Sequence, residues 1–158
     1  MKDGKIVGNI VYTHSKIIKE DGGEQSVVTF GPVSVLPEFQ NQGIGGTLIH
    51  HSIAKAKEMG IKAILIYGYP DYYKRFGFLG GKKFGISRSD GIFPKALQVL
   101  ELFEGALRGI NGKFIESSVF ETNLEELEEF ENLFTVKEKL ETKSQEIFAN
   151  MIDAMEED

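Results

Sequence analysis

The segment "VLPEFQNQGIGGTLIHH", Val35–His51, concentrates the residues whose types and spacing suggest chemistry. An apolar run ends at Pro37, and Gln40, Asn41, Gln42, Gly43, Ile44, Gly45, Gly46 and Thr47 lead into a helix-like sequence. The first amides of a helix have no intrahelical partner and carry a partial positive charge. Glycines let a ligand approach that main chain closely, so the arrangement suits an anion, most often a phosphate. On its own, a glycine-rich turn before a helix is more often a tight turn than a site. A P-loop would need Lys-Ser or Lys-Thr after the glycines, and none follows. The dinucleotide fingerprint G-x-G-x-x-G fails at its third glycine, because Gly43, Gly45 and Gly46 give G-x-G-G.

Other polar residues are less specific. His50 and His51 are helix neighbours and cannot share a metal, which needs spacing i and i+4. His14 lies on a strand facing either core or cleft and is a candidate base, although a satisfied strand histidine is the simpler reading. Arg75, Lys82 and Lys83 are candidates for a terminal phosphate, with solvated charge as the default. Tyr72 and Tyr73 point about 100° apart if helical, so at most one faces a given ligand.

The elements that must position these residues are legible in outline. "KIVGNIVYTHSKII" and "QSVVTFGPVSVLP" read as a hairpin joined by the turn "KEDGGE". Gly31-Pro32 predicts a bend or splay in the second strand. Ile49, Ile53 and Ala56 mark one face of the following helix, and Gly60 fits its C-terminal cap. "IKAILIY" reads as a buried strand, which completes a βαβ unit. A turn at Gly68 to Pro70, a short helix and a stop at Gly77 follow. "LGGKKFGISRSDGIFP" reads as loop, "KALQVLELFEGALRGI" as helix or strand, and "KFIESSVF" as strand. Thr122-x-x-Glu125 and Thr135-x-x-Glu138 have the form of capping boxes, predicting helices over 123–134 and 136–155. Ile147, Phe148, Met151, Ile152 and Met155 form an apolar stripe on the second.

The chain has 158 residues, 41% hydrophobic and 27% charged, which fits one domain with a proper core. The formal charge of −6 argues against nucleic-acid backbone as a partner. With no cysteine, disulfides, thiolate zinc sites and cysteine nucleophiles are excluded. No signal peptide or membrane-length apolar run is visible, so a cytoplasmic protein without a membrane partner is expected.

Val33-x-Val35-x-Pro37-x-x-Gln40-x-x-Gly43-x-Gly45 resembles the acetyl-CoA-binding motif of the GNAT N-acetyltransferases. "YYKRFGF", Tyr72–Phe78, is similar to that family's later tyrosine signature, and "TFGPVSVLPEFQNQGIG" and "KEKLETKSQEIF" look like its bacterial YhbS-like branch. The resemblance covers most of residues 4 to 152. It implies an α/β (α+β) fold: a mixed, mostly antiparallel twisted sheet, a central βαβ unit and C-terminal helices. In it "KALQVLEL" is a strand. It implies an acetyl-CoA core, read over 1–121; from Thr122 the composition turns acidic and helical, an extension over 122–158 most simply packed on the core, with a partner-binding or dimer face as the sharper alternative. It also implies acetyl transfer from acetyl-CoA, without a metal, to an amine that is a small molecule or peptide. Loop amides from Gln40 to Thr47 would hold the CoA pyrophosphate, and Val33, Ser34 and Val35 would pair with the pantetheine arm. An amide near Val35 would polarise the thioester carbonyl, and Tyr73 would protonate the departing thiolate.

There is one departure from the family pattern. "MKDGKIVG" resembles the turn before the family's third strand, so the earlier strands and helices are expected to be missing, and with them a wall of the acceptor site. That expectation favours an acceptor pocket completed by something else, most simply a symmetric homodimer, with the C-terminal helices folding over the exposed surface as the alternative. It is also the main support for an alternative, a CoA-binding module without catalysis.

Overall fold

The computed structural model describes residues 4–136 and 142–156. Alternating apolar and polar residues form β1 (Gly8–Lys19) and β2 (Glu24–Val35), an antiparallel hairpin. Its turn is closed by the Asp21 carboxylate, which accepts the Gly23 N–H at 2.8 Å. Ile10 faces Val33 but Tyr12 faces Phe30, so β2 carries one extra residue at Gly31-Pro32, a cis peptide. Proline cannot donate to the ladder, and the predicted bend is a bulge at that point.

β2 leads through α1 (Ile44–Glu58) to β3 (Ala63–Tyr67), which lies parallel to β2. Only Val28 and Ile64 are registered between these two strands. Beyond that pair they splay, and β2 past the bulge keeps its ladder only with β1. α1 buries Ile49 and Ala56, with Ile53 packed beside them. Full burial of a side chain such as Ile49 contributes about 1.5–3 kcal/mol, which anchors the glycine loop through the helix it starts. The helix ends as Gly60 predicts. With φ +73° there, Gly60 N–H reaches Lys57 at 2.9 Å and Ile61 N–H reaches Ala56 at 3.0 Å, a Schellman closure.

After α2 (Pro70–Tyr73) and a 3-10 turn over Lys74–Phe76, the chain turns at Gly77, whose φ is +89°. The stretch read as loop holds two short strands, β4 (Leu79–Gly80) and β5 (Ile86–Ser87), around a 3-10 turn. The ambiguous segment is strand β6 (Leu97–Glu101), followed by turns. The Glu101 carboxylate ends it by accepting the N–H groups of Gly105 at 3.0 Å and Leu107 at 2.7 Å. β7 (Gly112–Ile115) covers only the first half of "KFIESSVF"; Ser118–Phe120 is a 3-10 turn.

Among the described residues, seven strands form one mixed sheet in the order β4-β6-β3-β2-β1-β7-β5. One face packs Val28, Phe30, Ile64, Ile66 and Phe78 against α1 and α2. The other buries Ile17, Val27, Leu65, Val99 and Phe114.

The C-terminal helices differ from their expected bounds. α3 (Leu124–Glu131) is capped by Asn123, which accepts from Glu125 N–H at 3.0 Å and Glu126 N–H at 3.4 Å; Thr122 is not the cap. Asparagine one residue later fits the N-cap better, because its carbonyl reaches two orphan amides. Glu138 of the second expected box lies outside the described residues, as does 137–141 of the expected helix. α4 (Lys143–Asp153) starts after Thr142, whose N–H donates to the Gln145 side chain at 2.7 Å. No residue of α3 or α4 is fully buried. Of the expected stripe, Phe148, Met151 and Ile152 are half-buried, while Ile147 and Met155 are exposed. The segment after α4 is tied to the sheet domain. Lys95 N–H donates to Ala154 at 2.7 Å, Glu156 N–H to Phe93 at 2.8 Å, and Arg88 to the Ile152 carbonyl at 2.9 Å.

Candidate active site

The glycine cluster forms a loop with two left-handed residues, Asn41 (φ +58°) and Gly43 (φ +79°). Gly43 is the N-cap of α1 and has no side chain to cap with, so the first-turn amides of Ile44, Gly45 and Gly46 are left for a ligand. Asparagine tolerates the left-handed region, and glycine enters it freely. Gln40 pins the loop to the strand by donating to the Val35 carbonyl at 3.0 Å. Gln42 donates to the Glu38 carbonyl at 3.2 Å, and the Thr47 hydroxyl donates back to Gly43 at 3.2 Å. These three side chains therefore shape the loop, and its main chain is what faces outward.

A hollow of about 490 Å³ opens on this loop, bordered by Val35, Gln40, Gly43, Gly45, Tyr72 and Arg75 among others. A methyl group added at Gly45 would stand 3.6 Å from the Tyr72 hydroxyl and 3.9 Å from Val35, so this glycine keeps the floor of the hollow open. The Arg75 guanidinium lies 3.9 Å from the Tyr72 ring centre and 4.9 Å from that of Phe76. Stacking fixes a cation beside the helix N-terminus. Both charges have the sign that attracts a phosphate.

The strand side is also placed. Val33 packs on the α1 face, and Val35 reaches toward Gly45. The Ser34 side chain points away and donates to Asn9 at 2.7 Å, so only its backbone is available to a ligand on the α1 side.

Tyr73 does not border the loop hollow. Its ring lies against Gly68, where an added methyl would collide with it, and 5.9 Å from the Phe30 ring. Gly68 follows β3, and Phe30 precedes the β2 bulge, so Tyr73 stands in the splay between the two strands. Its pKa is raised by burial, and further by Tyr72 and Tyr12. Tyr72 and Tyr73 meet edge to face at 5.0 Å and serve different places, as their helical offset predicts.

The remaining candidates fall outside this arrangement. His50 is exposed, with its ring 5.0 Å from that of Phe76; His51 and His14 are exposed. No group of metal-ligating side chains occurs among the described residues. The Lys82 N–H donates to the Glu156 carboxylate at 3.2 Å, on a part of the surface bordered by β4 and Glu156 rather than by the loop.

Residues 1–79 match the family described as "Acetyltransferase (GNAT) domain". The chain belongs to the GNAT acetyltransferase family. Among relatives of this GNAT chain is the uncharacterized N-acetyltransferase YjhQ of Escherichia coli K12. It is 34% identical over 76 residues, covering 48% of this chain and 41% of YjhQ. The uncharacterized N-acetyltransferase YhbS of the same strain is 26% identical over 110 residues, covering 70% of this chain and 64% of YhbS. The matches therefore span less than two thirds of either relative. The crystal structure of E. coli YhbS in complex with CoA matches the fold with a TM-score of 0.67 at 24% identity, over 77% of this chain and 66% of that one. A Brucella melitensis GNAT acetyltransferase in complex with acetyl-CoA gives 0.58 at 28% identity, over 76% and 64%. The sheet of this GNAT chain is thus the family's mixed sheet, and the sequence expectation of fold class holds.

Arg75 was visible in the sequence but not distinguishable from a solvated cation. Its position three residues after Tyr72, one helical turn, was the available signal.

Proposed function

We propose that the chain transfers an acetyl group from acetyl-CoA to an amine. The observation that carries this reading is the uncapped, glycine-lined start of α1 beside a splayed strand pair with a tyrosine in the gap. The CoA pyrophosphate sits on the first-turn amides of α1, with Arg75 beside it. The pantetheine arm runs along Val33 to Val35, where β2 has no partner from β3. A β2 amide near Val35 polarises the thioester carbonyl. A neutral amine attacks the carbonyl carbon, the C–S bond breaks, the Tyr73 phenol gives its proton to the sulfur, and the proton lost from the nitrogen returns to the phenolate through water. Because burial raises its pKa, that phenol is protonated at neutral pH. Much of the rate comes from holding two substrates in register. Residues 1–121 form the acetyl-CoA core in this reading, and 122–158 an acidic extension. A cytoplasmic place of action fits the cysteine-free composition.

The direct test follows thiol release from acetyl-CoA with and without an added primary amine. Amine-dependent release with stoichiometric acetylated product is expected. CoA binding without any release would instead identify a binding module. Arg75→Ala is expected to weaken CoA binding about fivefold, roughly the 1 kcal/mol of an exposed charge pair. The difference should shrink at high salt, and an unchanged dissociation constant at low salt would remove Arg75 from the site.

A further inference from the structure

On the sheet face opposite α1, a second hollow of about 380 Å³ lies against the end of β3. Tyr67, Phe114, Phe120 and Ile152 give it apolar walls, and Glu116 and Arg88 give it charge. Tyr67 directly precedes Gly68, the residue against which Tyr73 packs from the other side. The Phe120 ring lies 3.9 Å from where a Gly31 methyl would stand, so its wall reaches the β2 bulge. The hollow therefore meets the same strand splay as Tyr73, but from the opposite face.

The two charges in this hollow are not equivalent. Arg88 is engaged by Asp90 at 2.7 and 3.0 Å and by the Ile152 carbonyl at 2.9 Å. Glu116 has no hydrogen bond or ion pair among the described residues, and Glu121 adds a second carboxylate to the lining. The Glu116 side chain stays open to solvent at the mouth, as an entering ligand requires, yet its surroundings raise its carboxyl pKa by desolvation. Tyr67 feels the Glu116 charge, which raises its own phenol beyond the effect of burial.

We infer that this hollow is the acceptor site and takes a cationic amine with an apolar body, whose ammonium group is held by the Glu116 carboxylate between Tyr67 and Phe120. The inference rests on the acetyl-transfer reading. The ammonium gives one proton to the Glu116 carboxylate, which passes it to water. The freed lone pair forms the N–C bond as the C–S bond breaks, Tyr73 protonates the sulfur, and the second proton shed by the nitrogen restores the Tyr73 phenol through water. Acceptors bearing a carboxylate near the amine are repelled by Glu116 and Glu121, because Arg88 is already neutralised.

Calorimetric titration of the whole chain, with and without saturating CoA, tests this using 2-phenylethylamine, neutral 2-phenylethanol and phenylalanine. The amine is expected to bind at least tenfold more tightly than either of the others. Glu116→Gln should lose at least tenfold for 2-phenylethylamine while retaining wild-type affinity for CoA, which also reports that it folds; Glu116→Asp should recover part of the loss. Failure of the wild type to bind 2-phenylethylamine, equal binding of phenylalanine, or an unchanged affinity in Glu116→Gln would each overturn the inference. If Glu116→Gln is unchanged but thiol release still needs an amine, the acceptor site lies elsewhere and the transferase reading stands. If the wild type binds the amine through Glu116 but does not bind CoA, the amine site stands and the transferase reading falls.

Discussion

Tyr73→Phe is expected to slow the acetyl-transfer step by about 10²-fold while leaving CoA affinity unchanged. The phenol is the only change, and the ring that packs on Gly68 and near Phe30 is kept, so the splay retains its shape. A departing thiolate without a proton donor leaves in a less stable form, and that cost appears only in the transition state. The prediction is therefore a fall in kcat without a matching change in KM. Tyr72→Phe is the control. Its hydroxyl points toward Gly45 in the loop hollow, so any effect belongs in CoA affinity and not in the chemical step. Single-turnover acetylation of a primary amine measures both. A Tyr73→Phe rate equal to wild type, with chemistry limiting, would take the acid role away from Tyr73.

The parts of the fold that were legible in the sequence are those whose local signals and tertiary demands agree. Ile49, Ile53 and Ala56 mark the buried side of α1, and Gly60 closes it, because helix period and left-handed cap are both local properties. Gly31-Pro32 announced the bulge, since a missing N–H must interrupt a ladder wherever it falls. The segment after Pro94 was ambiguous because its composition suits a helix. The strand is decided by pairing of Leu97–Glu101 with β3, a contact far away in the chain. The cap of α3 falls on Asn123 rather than Thr122 because threonine and asparagine compete for the same orphan amides, and one residue of shift leaves the pattern of charges unchanged.

The site divides along the same line. The loop around Gly43 is contiguous in sequence, so the anion site proposed for it could be read before any folding. Helical offset put Tyr72 and Tyr73 in different places, and the choice of Tyr73 rested on the resemblance of its signature, four residues before Gly77. The hollow containing Tyr67, Glu116 and Phe120 was not legible, because four distant segments build it and none carries a motif. Glu116 carries no sequence signal of its own, and only the fold sets it with Tyr67, the end of β3, on one hollow.

The most direct test of the central claim is calorimetric titration of CoA into wild type, Gly43→Glu and Gly43→Asn. Gly43 has φ +79°, and a side-chain carbon there would meet no atom within 4 Å, so there is space for a larger residue although the backbone favours glycine or asparagine. Asparagine keeps the left-handed turn without adding charge, which separates backbone strain from electrostatics. Glutamate puts a negative charge where the pyrophosphate is placed and opposes the helix dipole. Gly43→Glu should weaken CoA binding about 100-fold or more, roughly 2.7 kcal/mol, with Gly43→Asn much closer to wild type. If Gly43→Glu binds CoA as tightly as wild type, the pyrophosphate does not sit on the start of α1, and the account of this site is wrong.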